Sequence, residues 1–335
     1  MSKENSEWLN RNVLIGFTEK RGQAWHYRAS SQGDESNHYS GAVPIEDVRR
    51  RLFFWQAESR PMFVHVEGRE PVEVPNRVAI VRNDTYEVLG VPSTSYALHQ
   101  YDEALLKSVE AILDDDLQIG SAGLLKGGAV AWVQVEMAEN REVAGIEYRP
   151  HLLATTSFNG SIATTYKRTV TVVVCDNTRA IALREAGSSY TVRHTANSAM
   201  RIGNARQALG VIFDLGDAFE KEVNELLAIK VSDKAYEKFV AELLPLRSDP
   251  SNQAKTRNER LRAQYLDLWA NDERVAPWRN TAFGALQAAN TFRQHLRDVR
   301  GETIRVERNM MEVLTGTTEA ADRQALDRVL ALANR

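Results

Sequence analysis

The stretch Leu117–Met137, LQIGSAGLLKGGAVAWVQVEM, decides how the chain is read. Two β-type runs, Leu117–Leu125 and Ala129–Met137, flank Lys126-Gly127-Gly128, a glycine turn of the kind that closes a hairpin. Residues 148–158, 161–166 and 168–174 continue the pattern, with the strong turn signal Asn159-Gly160 between the first two. Strands joined by such short loops pair antiparallel, because parallel pairing needs a long crossover. The spacing therefore predicts an antiparallel β-meander. Asn177–Arg184 is expected to start a helix, and Tyr190–His194 to form one more short extended segment.

Upstream, Ile45–Gln56 has the apolar spacing of a short amphipathic helix behind Pro44, and Ala97–Leu113 reads as a helix able to cross the sheet. Between them lie β-type runs at Met62–Val66, Arg77–Val81 and Thr85–Val91. The first forty residues show no sustained period. Downstream, Ala199–Leu227, Lys234–Leu244, Asn258–Ala270, Thr281–Val299 and Glu319–Ala333 all carry helical spacing, separated by Pro245, Pro250 and Pro277. The fold class expected is α+β: an antiparallel β-meander core with a packed helix, then a mostly α-helical C-terminal region. Residues 1–60 form an irregular and helical segment in this reading, 61–196 the β-rich core, and 197–335 the helical region.

The 335 residues, 43% hydrophobic and 26% charged, suffice for a buried core. A single cysteine, Cys175, excludes an intramolecular disulfide framework and a cysteine-rich zinc site. Without a signal-peptide pattern at the N-terminus or an apolar run of membrane length, the expected location is the cytoplasm.

The net charge of −3 hides a division. From Tyr148 to Arg206 eight bases (Arg149, Lys167, Arg168, Arg179, Arg184, Arg193, Arg201, Arg206) face only Asp176 and Glu185. Tyr148, His151, Phe158, Tyr166, Tyr190 and His194 lie among them. Guanidinium and ammonium groups for phosphates, interleaved with flat rings for bases, are what single-stranded nucleic acid requires. The plainer reading is a solvated sheet face with half of those rings in the core. The arginines between 247 and 308 suit a salt-bridged helical surface or a subunit contact equally.

Enzyme chemistry finds no positive support. Gly120–Gly128 lacks the Gly-Lys-Ser/Thr of a Walker A loop, so Lys126 is better read as the tip of a hairpin. The histidines show no metal-binding spacing, and Asp114–Asp116 reads as a solvated helix end. Cys175 with His151 or His194 as base is a conceivable nucleophile, but a cysteine closing a β-branched run is more often a small buried hydrophobe. Ser188, Ser189 and Ser198 fit no nucleophile elbow. No cofactor is expected.

Four segments, GLLKGGAVAW (123–132), HLLATTSFNGS (151–161), VVVCDNTRAIAL (172–183) and VRHTANSAMRIGNAR (192–206), together resemble the phage/plasmid-like family of unknown function. The resemblance spans about residues 75–245 and implies a cytoplasmic protein of a mobile element; it brings no catalytic residues. At the level of fold alone, a curved antiparallel sheet backed by a helix is similar to the core of single-strand annealing proteins of the Red-beta, RecT and Erf kind. That likeness implies a ring or filament with DNA along a basic groove. The function expected is accordingly that of a non-enzymatic, oligomeric single-stranded DNA-binding protein that promotes annealing and recombination in a phage or plasmid. Phosphate contacts are expected from Lys126, Arg149, Lys167, Arg168, Arg179, Arg193, Arg201 and Arg206, and base stacking from Tyr148, Tyr166 and His194. The rival expectation is a protein-interaction module, such as an anti-host factor, that binds no nucleic acid.

Overall fold

The computed structural model describes residues 3–23, 27–137, 139–172, 177–180, 189–195, 214–299 and 305–333. These fall into two compact units. One takes the described residues of Met1–Glu139, Pro150–Arg168 and Gly187–Ile212; the other takes those of Asn140–Arg149, Thr169–Ala186 and Phe213–Arg335. The units are not consecutive in the chain. Where the sequence suggests borders near residues 60 and 196, the chain enters the second unit already at Asn140.

The main sheet is antiparallel, as expected. Its path runs β1 (Val13–Ile15), β5 (Leu117–Leu125), β6 (Val130–Met137), β8 (Ile146–Ser157), β9 (Thr164–Val172) and β10 (Asn177–Ala180). The short strands β7 (Arg141–Val143) and β11 (Ser189–Val192) pair with β8 and β9. The register Leu125↔Val130 closes the predicted hairpin over Lys126–Gly128, and Val130↔Ser157 adds β8 beside it. β1, antiparallel to β5, comes from the N-terminal region that shows no period. The expected runs 161–166 and 168–174 meet in the single strand β9, which is described from Thr164 to Val172. Asn177–Ala180 is a strand and not the start of a helix. Only four residues separate it from the end of β9, and pairing to that edge (Asn177↔Val172) outweighs the local helical pattern.

One face of this sheet is covered by the chain around Tyr101–Glu110, which is a π-turn at Asp102–Leu106 running into a short helix, Lys107–Glu110, not one helix from 97 to 113. Tyr101, Ala104, Leu105, Leu106 and Val109 are buried there beside Ala131, Val133, Val135, Leu152 and Ala154. A separate three-stranded sheet holds β2 (Ala57–Val64), β3 (Val72–Arg82) and β4 (Val88–Gly90). The helix Ile45–Arg51 precedes it, starting behind Pro44 as expected but ending short of the expected Gln56.

In the second unit the C-terminal region is helical, as expected. Counting helices from Asp214, α1 is Asp214–Ala228, α2 Asp233–Leu243, α3 Asn252–Asn271, α4 Ala282–Thr291, α5 Arg305–Leu314 and α6 Thr317–Ala333. α4 lies among α1, α3 and α6 and is buried almost throughout, from Ala282 to Ala288. Side chains of Ser232, Ser251 and Thr281 accept from the first-turn amides of α2, α3 and α4, satisfying donors the helices leave open. Tyr236 stacks on Trp269 at 4.2 Å, and Trp269 Nε1 donates to Asp233. α5 has no counterpart in the sequence reading.

Candidate nucleic-acid interface

Three connections of the main sheet open at the same end. β5 turns into β6 through Lys126–Gly128, β8 into β9 through residues 158–163, and β11 leaves the sheet at Val192, opposite Thr164. Lys126 and Arg193 are both exposed there. Lys126, Gly127 and Gly128 all take positive φ, a conformation that glycine tolerates best, and Arg82 Nη1 donates to the Gly127 carbonyl from behind. Arg82 itself is held by Asp84 and lies over the Trp55 ring at 4.0 Å. In the second connection Asn159 Oδ1 accepts from the amide and hydroxyl of Ser161, and Gly160 sits at φ 74°. β4 packs directly on this turn: a Cβ on Gly90 would stand 2.5 Å from Asn159 Cα.

Beside these turns three rings stack in series. Tyr96 lies on His194 at 4.5 Å and 9°, and His194 on His99 at 3.9 Å and 20°. His194 Nδ1 lies 2.9 Å from the Ala97 carbonyl, which can only accept, so that nitrogen carries the proton and Nε2 accepts from Thr156 at 3.2 Å. His99 Nδ1 meets Thr164 Oγ1 at 2.5 Å, and Thr164 meets Thr156 at 2.8 Å. Burial holds both imidazoles below their usual range, His99 down to about 4 with His194 adding to the shift. The rings are therefore neutral near pH 7. His99 is buried, while Tyr96 and His194 are partly exposed at the rim.

The remaining expected contacts scatter. Arg149 is 5% exposed and Lys167 6%. Lys167 lies on the face of β9 opposite Tyr166, the face that in β6 and β8 carries the paired residues Glu136 and His151, both buried. Gly120 makes room for that carboxylate, because a Cβ there would overlap Glu136 Oε1, and Gly123 likewise leaves space for the Trp132 indole. Tyr148 and Tyr166, expected to stack on bases, are interior residues. Tyr148 is fully buried against Phe219 and donates to Glu220 at 2.5 Å; Tyr166 donates to the Ala104 carbonyl. Arg168 and Arg179 lie on β9 and β10. Arg201, Arg206 and Cys175 fall outside the described residues.

Sequence reasoning picks out His194 but misses Tyr96, His99, Thr156 and Thr164. These come from three separate elements, and nothing in their spacing announces the stack. Gly120 and Gly123 inside a β-type run were the legible sign that side chains lean across β5. Among the described residues no group of three His, Cys, Asp or Glu side chains could hold a metal ion, and no helix is long and apolar enough to cross a membrane.

Fold and surface together define an α+β protein whose antiparallel sheet presents basic and aromatic groups at one end. The chain belongs to a family described as Domain of unknown function (DUF932), whose model matches residues 88–314. That match takes in every strand of the main sheet but β1 and runs well into the helical region; it starts later than the span of about 75–245 that the four segments suggested and ends further on. No curated protein and no solved structure matches the chain.

Proposed function

We propose that this chain is a non-enzymatic single-stranded DNA-binding protein that promotes strand annealing in a phage or plasmid and acts as an oligomer. One observation carries the reading. The loop end of the main sheet brings Lys126 and Arg193 to the same exposed edge as the Asn159-Gly160 turn and the partly exposed Tyr96–His194 stack. Cations for the backbone and a flat π-face for a base are the two elements that single-strand binding combines. In annealing, base pairing supplies specificity, so the protein has only to hold a strand extended with its bases accessible.

The test is binding of a fluorescent oligonucleotide across a salt series. Lys126→Ala and Arg193→Ala are each expected to weaken binding alike on all sequences and to lower the salt slope by about one unit. Unchanged affinity in low salt for both variants overturns this surface. Electron microscopy of the protein with and without the oligonucleotide tests assembly at the same time.

The rival reading, a protein-interaction module, has its own observation. Phe63, Val64, Val66 and Val72 at the far end of β2 and β3 are each about half exposed, and an exposed apolar cluster of this kind marks a protein contact. In the leading reading the same arm joins copies of this chain. A protein that shows no salt-dependent oligonucleotide binding but captures a foreign partner through Phe63 fits the rival alone.

A further inference from the structure

We propose that the arginine cluster between the end of α4 and the start of α5 binds a phosphate-type oxyanion. Arg293 and Arg297 are one turn apart in the segment that continues α4, which is a π-turn over Phe292–Leu296. Arg305 and Arg308 are one turn apart at the start of α5. Arg308 ties the two together. Its Nη2 donates to the Arg293 carbonyl at 3.0 Å, and its Nη1 to the carbonyls of Arg297 at 3.1 Å and Asp298 at 3.4 Å. Its Nε and Nη2 also reach Asn309 Oδ1.

Every one of those acceptors is neutral, and Arg308 makes no ion pair among the described residues. Burial first, then Arg297, Arg305 and Arg293, hold its pKa below the usual guanidinium range, with Glu312 opposing them. Arg293 is paired with Asp322 at 2.6 Å and Arg297 with Glu312. Arg305 makes no hydrogen bond or ion pair among the described residues, and its Nε is buried. Two of the four guanidinium groups, those of Arg305 and Arg308, thus have no carboxylate paired to them among the described residues, in a half-buried setting. Such charges are costly unless a counter-ion joins them.

The ligand class follows from charge and shape. A guanidinium fork matches a tetrahedral oxyanion, and a phosphate group near pH 7 carries between one and two negative charges. Arg305, with its donors uncommitted, is the residue with most to offer it. A free phosphate or phosphomonoester and a nucleic-acid backbone share this chemistry.

The test uses the full-length protein and inorganic phosphate at constant ionic strength, with chloride as the reference salt. Phosphate is expected to raise the melting temperature saturably, by about 2–4 °C at concentrations well above its dissociation constant. Arg305→Gln breaks no hydrogen bond or ion pair among the described residues, and this variant is expected to lose the rise. Broadening of the phosphate ³¹P signal by the wild type but not by R305Q gives a second readout independent of unfolding. A parallel titration with a single-stranded oligonucleotide separates the sources. Weaker oligonucleotide binding by R305Q, with phosphate competing, assigns the site to the backbone; unchanged oligonucleotide binding assigns it to free phosphate or a phosphomonoester. The proposal is overturned if neither phosphate nor oligonucleotide distinguishes R305Q from the wild type, or if chloride reproduces the shift. None of these outcomes depends on Lys126 or Arg193.

Discussion

In the eight-stranded sheet, β6 buries Val130, Ala131, Trp132, Val133 and Val135; in the three-stranded sheet, β2 and β3 leave Phe63, Val64 and Val72 about half exposed. β6 and β3 are rich in β-branched residues and β2 ends in Phe63-Val64, and both sheets are built of antiparallel pairs. What differs is cover. β6 has strands on either side and the Tyr101–Glu110 segment over one face, whereas β2 is an edge strand whose outer half has no such cover among the described residues. Strand propensity makes a strand in either place, and only the presence of a second layer makes it a core.

The comparison can be broken most forcefully at Trp132. Trp132→Ala is expected to cost about 3–5 kcal/mol, read from denaturant unfolding, because the indole is 2% exposed. A cost below 1 kcal/mol means that the central sheet is not packed as described. Next is Gly123→Val. The added side chain overlaps the Trp132 ring, and overpacking of this kind costs about 1–3 kcal/mol.

Acid sharpens the contrast further. The folded pKa values of His99 and His194 are depressed, so the unfolded chain binds protons first. Their contribution is intact above the usual imidazole pKa of about 6.5 and drains away as pH falls, down to about 4 for His99. Melting temperature is expected to drop between pH 7 and pH 5, and His99→Asn to flatten that drop. The same slope in wild type and variant contradicts the neutral stack.

The smallest effect on stability is expected in the arm. Phe63→Ser changes unfolding by no more than about 0.5 kcal/mol, since that side chain is about half exposed. It is nevertheless expected to shift the oligomer distribution in analytical ultracentrifugation. A large loss of stability with no change in assembly reverses the assignment of the arm as a contact surface.

Much of the fold was legible, and the reasons are local. The Lys126-Gly127-Gly128 turn and the alternation on either side are properties of neighbouring residues, and so is the 3.6-residue spacing of α1, α2 and α6. β10 was misread because its partner strand, not its own pattern, decides its conformation. β1 was missed because three residues carry no period; β5 selects them through pairing at Val13↔Gly123. The candidate interface was less legible still. Counting bases between 148 and 206 finds Arg193 but also Arg149 and Lys167, because composition cannot say which face of a strand a side chain takes. Tyr148 and Tyr166 failed as stacking candidates for the same reason: each ring faces a packed layer, where its hydroxyl finds an acceptor. The stack at Tyr96, His194 and His99 depends on contacts between residues as many as 98 positions apart, which no sequence window contains.

The approach of Gly90 to Asn159 has a mechanical corollary. Main chain rests on main chain there, with no side chain between them to yield. The small sheet is thereby seated on the Asn159-Gly160 turn through backbone alone, so the fit at that point depends on residue 90 having no side chain. A methyl grafted onto residue 90 would force main chain from main chain at that seat while leaving every cation in the chain untouched.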